Sequence, residues 1–319
     1  MNRTTGRRAG CLALPILCLL SVLSGTAASE TRSTYGALTP APETLRACTL
    51  PDMTPGKVQL ETDCRYTEPV VISSDNVLLD CRGGTITGMH RRGITIRPGL
   101  KNITIRDCRL DDTGGILIEG QTPSDDAAAR DDARANSSQG VVLDHLTITK
   151  SYMTGVFVDH YVVGATIRNS IVADGHHVGI YLEHGSQKNV VSGNLIRNIK
   201  KVGPYPPEVA GFGIGIAVEA DTTLTGNVVE GAPKFGLMLG WGPYMRNIAA
   251  SQNVVRDCGT GIAVTVVDGA GAAVITNNIV QGSQQGAING YRWLEKATGE
   301  LNNVSEFDNL TVHGNQIAA

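Results

Sequence analysis

One spacing constrains this chain more than any other feature: a Gly-led apolar run returns at intervals built on about 25 residues. It reads Gly93-Ile-Thr-Ile, Gly115-Ile-Leu-Ile, Gly155-Val-Phe-Val, Gly179-Ile-Tyr-Leu, Gly215-Ile-Ala-Val, Gly236-Leu-Met-Leu, Gly261-Ile-Ala-Val and, weakly, Gly286-Ala-Ile-Asn. Between these runs lies a polar column: Asp80, Asp107, His145, Asn169, Asn194, Asn227, Asn253, Asn278 and Asn315. Its members are 27, 38, 24, 25, 33, 26, 25 and 37 residues apart, so the long intervals place insertions at about 121–138, 203–212 and 292–307. Each insertion is polar or rich in Pro and Gly, as loops outside a stack should be.

The period lacks the amphipathic helices of tetratricopeptide and ankyrin arrays, and the leucine-rich frame is not kept. What remains is one turn of a coil per repeat. Alternation sends the first and third residues after each Gly inward, where they stack on their equivalents, while the polar column bonds the backbone of the turns. The chain is therefore predicted to be all-β, a single-stranded right-handed parallel β-helix of about nine coils over 76–319. An N-terminal segment and cap at 29–75 precedes it, with a short helix near Glu43–Arg46.

Residues 1–28 read as a signal peptide, with Arg3, Arg7 and Arg8 before the apolar run Cys11–Leu23 and a small-residue site at Thr26-Ala27-Ala28. That run is too short and Pro-interrupted for a transmembrane span, so a secreted or periplasmic monomer is expected. Removing three arginines takes the net charge from −3 to −3 − 3 = −6, which argues against nucleic acid as a partner. Five cysteines then remain. Two disulfides and one free thiol are the simplest arithmetic for an exported chain, Cys48 with Cys64 and Cys81 with Cys108. Cys81 and Cys108 fall in neighbouring coils, within disulfide reach, although stacked cysteines also occur unbonded.

In such a coil, outward residues stack into columns, and one column gathers chemistry. The fourth residue after each Gly gives Arg97, Glu119, Asp159, Glu183 and Glu219, and the next includes His160, His184 and Trp241. Tyr181 lies beside them, and His176-His177 precede the same strand. Five of the seven histidines fall between 145 and 184. Carboxylates at one-coil spacing repel one another, which tunes an acid or base, or builds a site for a divalent cation such as Ca2+ with Asp159 and Glu183 as ligands. Histidine beside them moves protons near neutral pH. The bland alternative is a solvated strand face, which applies most directly to Glu119 and Glu219. His145, in the polar column, reads as a structural substitute for Asn.

The repeats resemble the right-handed β-helix superfamily of pectate-lyase-like proteins, alginate C5-epimerases and NosD-type repeat proteins. Gly179-Ile-Tyr-Leu followed by Asn189-Val-Val-Ser-Gly-Asn194-Leu-Ile carries that likeness, and residues 236–290 are similar to exported β-helix proteins of unassigned function. The epimerases carry Asp-Pro-His-Asp at a strand end and His-Gly one coil later. Here Val158-Asp159-His160-Tyr161 keeps the Asp-His core without the Pro or the second Asp, His177-Val178-Gly179 follows, and His184 stands where those enzymes place an Arg.

The resemblance implies a polysaccharide-active enzyme, a lyase or C5-epimerase on a uronic-acid-containing glycan. His160 or His184 is then the base, Tyr181 or His177 the acid, and Asp159 orients a histidine or helps hold a cation. Glu183, Glu219, Arg97, Lys150, Arg168, Trp241 and Tyr244 are the expected substrate-binding residues. The alternatives are a non-catalytic exported repeat protein binding glycan or a surface partner, a NosD-like role in metal delivery, and a glycoside hydrolase using paired carboxylates.

Overall fold

Val, Ile and Leu at alternate positions of three- to six-residue runs produce strands with one face wholly inside, and each coil contributes three such strands. A computed structural model describes residues 45–122, 126–201, 212–303 and 306–318. The expected leader and Glu43 lie outside the described residues, as does most of the insertion at 203–212. Three sheets of ten, ten and eleven strands run the length of the rod. In the first, nine parallel strands from Val70–Ile72 to Ile288–Arg292 are closed by the antiparallel strand Glu295–Glu300. Each Gly-led run is a strand of this sheet, in the register expected: Ile116 pairs with Val156, Val156 with Ile180, Ile180 with Ile216. The last run is displaced by one residue. Ile288 pairs with Ile262 and so faces the core, which moves Tyr291 rather than Gly290 opposite Thr265.

The interior is a continuous stack of Ile, Val and Leu, with Ile94, Ile116, Val156, Ile180, Ile216, Leu237 and Ile262 at 0 % exposure. A second, smaller apolar cluster covers part of the outer face of the first sheet, burying Ala217, Met238 and Ala263 with Phe235 and Tyr291.

The polar column differs from its sequence reading in the N-terminal half. Asn194, Asn227, Asn253, Asn278 and Asn315 form one hydrogen-bonded chain, each Nδ2 donating to the next Oδ1 at 2.9–3.0 Å. The position above Asn194 is Ser170, whose N–H donates to Asn194 Oδ1 at 3.0 Å, and above that Leu146, whose N–H donates to Ser170 Oγ at 3.0 Å. Asn169, His145 and Asp107 sit one residue earlier, in the left-handed turn position (φ 52°, 53° and 54°), where a short polar side chain is tolerated. Asp80 lies further off, in a strand of the second sheet, where it pairs with Arg106 at 2.8 Å. The sequence confused two adjacent columns that both favour Asn.

The coil also begins earlier than the repeat suggested. Gly56–Gln59 pairs in parallel with Val77–Asp80 and Val70–Ile72 with Ile94–Ile96, within the segment expected to be a cap. Arg46, at the end of the expected helix Glu43–Arg46, belongs instead to a strand, Arg46–Ala47, beside Cys64–Tyr66. Both disulfides form here, Cys48–Cys64 with Cα atoms 5.5 Å apart and Cys81–Cys108 at 4.7 Å, while Cys258 is free and buried.

Two insertions carry structure. Ala127–Ala135 is a helix, capped by Asp126 accepting from the Ala129 N–H at 2.8 Å, because Ala and Arg dominate its run. None of its residues is buried, but the Arg134 guanidinium lies over the Tyr161 ring at 5.5 Å. The insertion at 292–307 supplies the antiparallel strand, which covers an otherwise open sheet edge. Among the described residues no helix is long and apolar enough to cross a membrane.

Candidate active site

The middle three of the nine parallel rungs, Val156–Val158, Val178–Leu182 and Ile214–Val218, end in the acidic column. Backbone ladder bonds from Asp159 to Ile118, Glu183 to Val158 and Glu219 to Leu182 fix Asp159, Glu183 and Glu219 on consecutive rungs. These carboxylates do not face one another bare, since a histidine stands between each pair. His160 Nδ1 donates to Asp159 Oδ1 at 2.7 Å, and its Nε2 lies 3.5 Å from Glu183 Oε2. His184 Nδ1 lies 2.9 Å from Glu219 Oε2 and 3.7 Å from Glu183 Oε2. Tyr181 closes the chain, donating its hydroxyl to Glu219 Oε1 at 2.6 Å. The two imidazoles meet edge to face, centroids 4.8 Å apart.

Burial grades the cluster. Glu219 is 1 % exposed and lies beneath the others, so it holds His184 and Tyr181 rather than meeting a ligand. His160, Glu183 and His184 are half-buried and line the surface above it. The electrostatics follow. Burial lowers the His184 imidazole, but Glu183 and Glu219 more than reverse this and raise it to about 9, so it is a cation at neutral pH. Burial pushes the Glu219 carboxyl up, against the pull of His184 and Tyr181. Burial also raises Asp159, yet hydrogen bonds from the His160 side chain and from the His160 and Gly120 N–H groups carry it below the ordinary carboxylate range. Burial beside two carboxylates raises the Tyr181 phenol, which therefore keeps its proton.

Close packing sets this geometry. A Cβ at Gly120 would stand 2.1 Å from the His160 carbonyl oxygen, so only glycine lets the preceding rung come down on Asp159 and His160.

Two further residues approach from the turn after Phe235–Leu239. The Tyr244 ring stacks on His184, centroids 4.1 Å apart and planes at 19°. Arg246 Nη2 donates to the His184 carbonyl at 3.2 Å while pairing with Asp221 at 2.5 Å. The sequence reading missed Arg246. It follows the aromatic Gly240–Tyr244 stretch, but nothing in its spacing shows that the turn folds back two rungs.

Other expected site residues lie apart. His177 begins the strand that His184 follows, which separates them by roughly 20 Å at 3.3 Å per residue. Its ring packs edge-on against Phe212 at 4.3 Å, and burial lowers its pKa. It is removed from the cluster. Arg97 shares the acidic column but is paired with Glu119 at 3.0 Å. Lys150 pairs with Asp111 at 3.2 Å and Arg168 with Asp144 at 2.9 Å, both away from the first sheet. Trp241 packs edge-on against Trp293, centroids 5.0 Å apart.

The His160 ring stands between Asp159 and Glu183, the two carboxylates weighed as ligands for a divalent cation. His160, Glu183 and His184 do bring one donor atom each within 4.8 Å of one another. Two imidazole nitrogens and a single carboxylate oxygen are not the six to eight oxygens that calcium takes.

Solved structures align with the chain at low identity. The enzymatically active domain of tailspike protein 2 from bacteriophage CBA120 aligns with TM-score 0.49 at 10 % identity, over 82 % of this chain and 41 % of that one. The chain thus spans about two-fifths of the tailspike domain. The mannuronan C-5 epimerase A-module of Azotobacter vinelandii aligns at 0.44 and 13 % identity, over 83 % and 87 % of the two chains. An alginate lyase from a Paenibacillus species aligns at 0.47 and 13 %, over 76 % and 93 %. No curated protein matches the sequence. Residues 70–246, more than half of the 319 in the chain, match the family model described as right handed beta helix region, and with three parallel sheets wound in register about one core the chain belongs to that family.

Proposed function

We propose that the chain is an exported glycan-processing enzyme that removes the C5 proton of a uronic acid, as a lyase or a C5-epimerase. The observation that carries this reading is the grouping, across three rungs, of the bonded sets Asp159–His160 and His184–Glu219–Tyr181, with Glu183 within 3.7 Å of both imidazoles. Asp159 accepts the Nδ1 proton of His160, which leaves Nε2 as the basic nitrogen on the half-buried face. His184, held cationic by Glu219, meets the substrate carboxylate and stabilises the charge that develops when C5 is deprotonated. The same imidazolium carries the proton needed by the O4 leaving group in elimination, or by C5 in epimerisation. Asp159, Glu219 and Tyr181 are positioning residues. Tyr181 is tied to the buried Glu219, which disfavours its expected role as acid.

The two disulfides support an oxidising, extracytoplasmic compartment. Hydrolysis by paired carboxylates is less well supported, since Glu219 is buried and His160 separates Asp159 from Glu183.

The test is incubation with a panel of uronans in D2O. Lyase action yields an unsaturated uronate absorbing in the ultraviolet, and epimerase action leaves deuterium at C5, each lost in His160→Gln. Absence of both signals across the panel would refute the reading. One observation favours a second, non-catalytic role in glycan binding: Arg97, Lys150 and Arg168 are all spent on acids of this chain, leaving His184 as the main positive charge of the site. Glycan affinity without turnover, unaltered in His160→Gln, would select it.

A further inference from the structure

The chain has two tryptophans, and both stand on the same flank of the first sheet, beyond the His184 site. Trp293 is 46 % exposed and its neighbour Leu294 40 %, while Tyr244 on His184 is 42 % exposed. Apolar side chains of this size are seldom left grouped on a surface without a partner. Trp293 is also held at a cost. It has φ 57°, a left-handed conformation unfavourable for a bulky side chain. Its six-membered ring is seated on Gly242, where an added Cβ would lie 2.3 Å from it. The indole contributes little to the core, yet a strained turn and a glycine both serve its placement.

The geometry points to a stacking platform for sugar rings, formed by Tyr244, Trp241 and Trp293, that continues the site toward the C-terminal coils. This rests on the glycan reading of the His160–His184 site and deepens it by naming the form of the ligand. Tyr244 stacks on His184, Gly242 two residues before it carries the Trp293 ring, and Trp241 packs edge-on against that ring, so the three rings are contiguous beside the site. The ligand is therefore an oligomer or polymer that extends past the reacting unit, rather than a single uronate. Aromatic rings suit this task because they present wide, rigid apolar faces to the C–H faces of pyranoses, while the His184 imidazolium reads the uronate at the reacting unit.

Both tryptophans lie in the platform, so intrinsic fluorescence reports on it directly. The full chain carrying His160→Gln, which blocks turnover, is titrated with mannuronate and galacturonate oligomers of roughly two to eight units. The platform predicts a change in tryptophan emission on binding, with affinity rising with chain length until the platform is covered and then levelling. Trp293→Ala is expected to weaken binding of the longer oligomers by about tenfold, with the deficit growing with chain length and partly restored in Trp293→Phe. The proposal is overturned if affinity is independent of length, or if Trp293→Ala and Trp241→Ala bind long oligomers as tightly as the parent. Failure of the underlying reading looks different. Length-dependent, tryptophan-dependent binding of neutral oligosaccharides, with no uronan turned over by the unsubstituted chain, would leave the platform standing and remove the uronate chemistry.

Discussion

Glu219→Gln tests the charged pair at the centre of the site. In the native chain His184 Nδ1 is 2.9 Å from Glu219 and 3.7 Å from Glu183, and its pKa rises from 6.5 to about 9 although burial acts in the opposite direction. A shift of about 2.5 units is worth about 3 kcal/mol at 1.36 kcal/mol per unit. The imidazole is 23 % exposed, so solvent does not screen away most of this. Because the folded pKa lies above the unfolded one, the stabilisation is fully present below about pH 6.5 and is lost as pH rises to about 9. Burial raises Glu219 as well, so the pair also weakens in acid once that carboxyl is protonated. The substitution keeps the shape and removes the charge. The His184 pKa should then fall from about 9, since burial persists while Glu183 alone still opposes it. The assay is an NMR titration of the imidazole Cε1 protons, with His184→Asn for assignment, alongside urea midpoints at about pH 6.5 and 9.5. The native chain should lose up to about 3 kcal/mol more than Glu219→Gln across that interval. A native His184 titrating at 6.5 or lower, or identical pH slopes in the two proteins, would refute the reasoning.

Asn253→Ala removes the acceptor of the Asn227 N–H and Nδ2 groups and the donor to the Leu224 carbonyl, all fully buried. It should cost about 3–5 kcal/mol, and a denaturant midpoint indistinguishable from the parent's would contradict the ladder as a source of stability. Gly120→Ala places a Cβ against the His160 carbonyl, so the His160 NMR signals should move and uronan turnover fall; an active variant with unshifted signals would exclude the close approach. The Cys258 thiol, pushed up to about 11 by burial, should resist alkylation at pH 8 until the chain is denatured, as followed by mass spectrometry of its peptide. Rapid labelling of the native chain would place it at the surface instead.

The rungs were legible in the sequence because Gly and alternating Ile or Val recur wherever the chain passes the first sheet. The acidic column followed from that register, and Asp159, Glu183 and Glu219 do occupy successive rungs. Three things were not legible. Glu219 looks like any outward acid, and only the surrounding Tyr181 and His184 reveal that it is buried. Asn is favoured both in the left-handed turn and in the buried ladder, which is why Asn169 was taken for the position that Ser170 fills. Tyr244, Arg246 and Trp293 reach their places through turns that fold across rungs, and a repeat period carries no information about a departure from itself.

The two ends of this coil are fastened differently. Disulfides hold the N-terminal turns, and the chain of buried asparagine amides holds the rest from Asn194 onward. A stack whose turns contact only their neighbours loosens by fraying inward from its termini. Reduction should then unzip one end and leave the other intact. His160 and His184 sit on the fourth and fifth of the nine parallel rungs, in the middle of the stack. Side-chain geometry placed there is insulated from fraying at the ends, whereas Trp293 follows the ninth rung and stands at the edge of the stack.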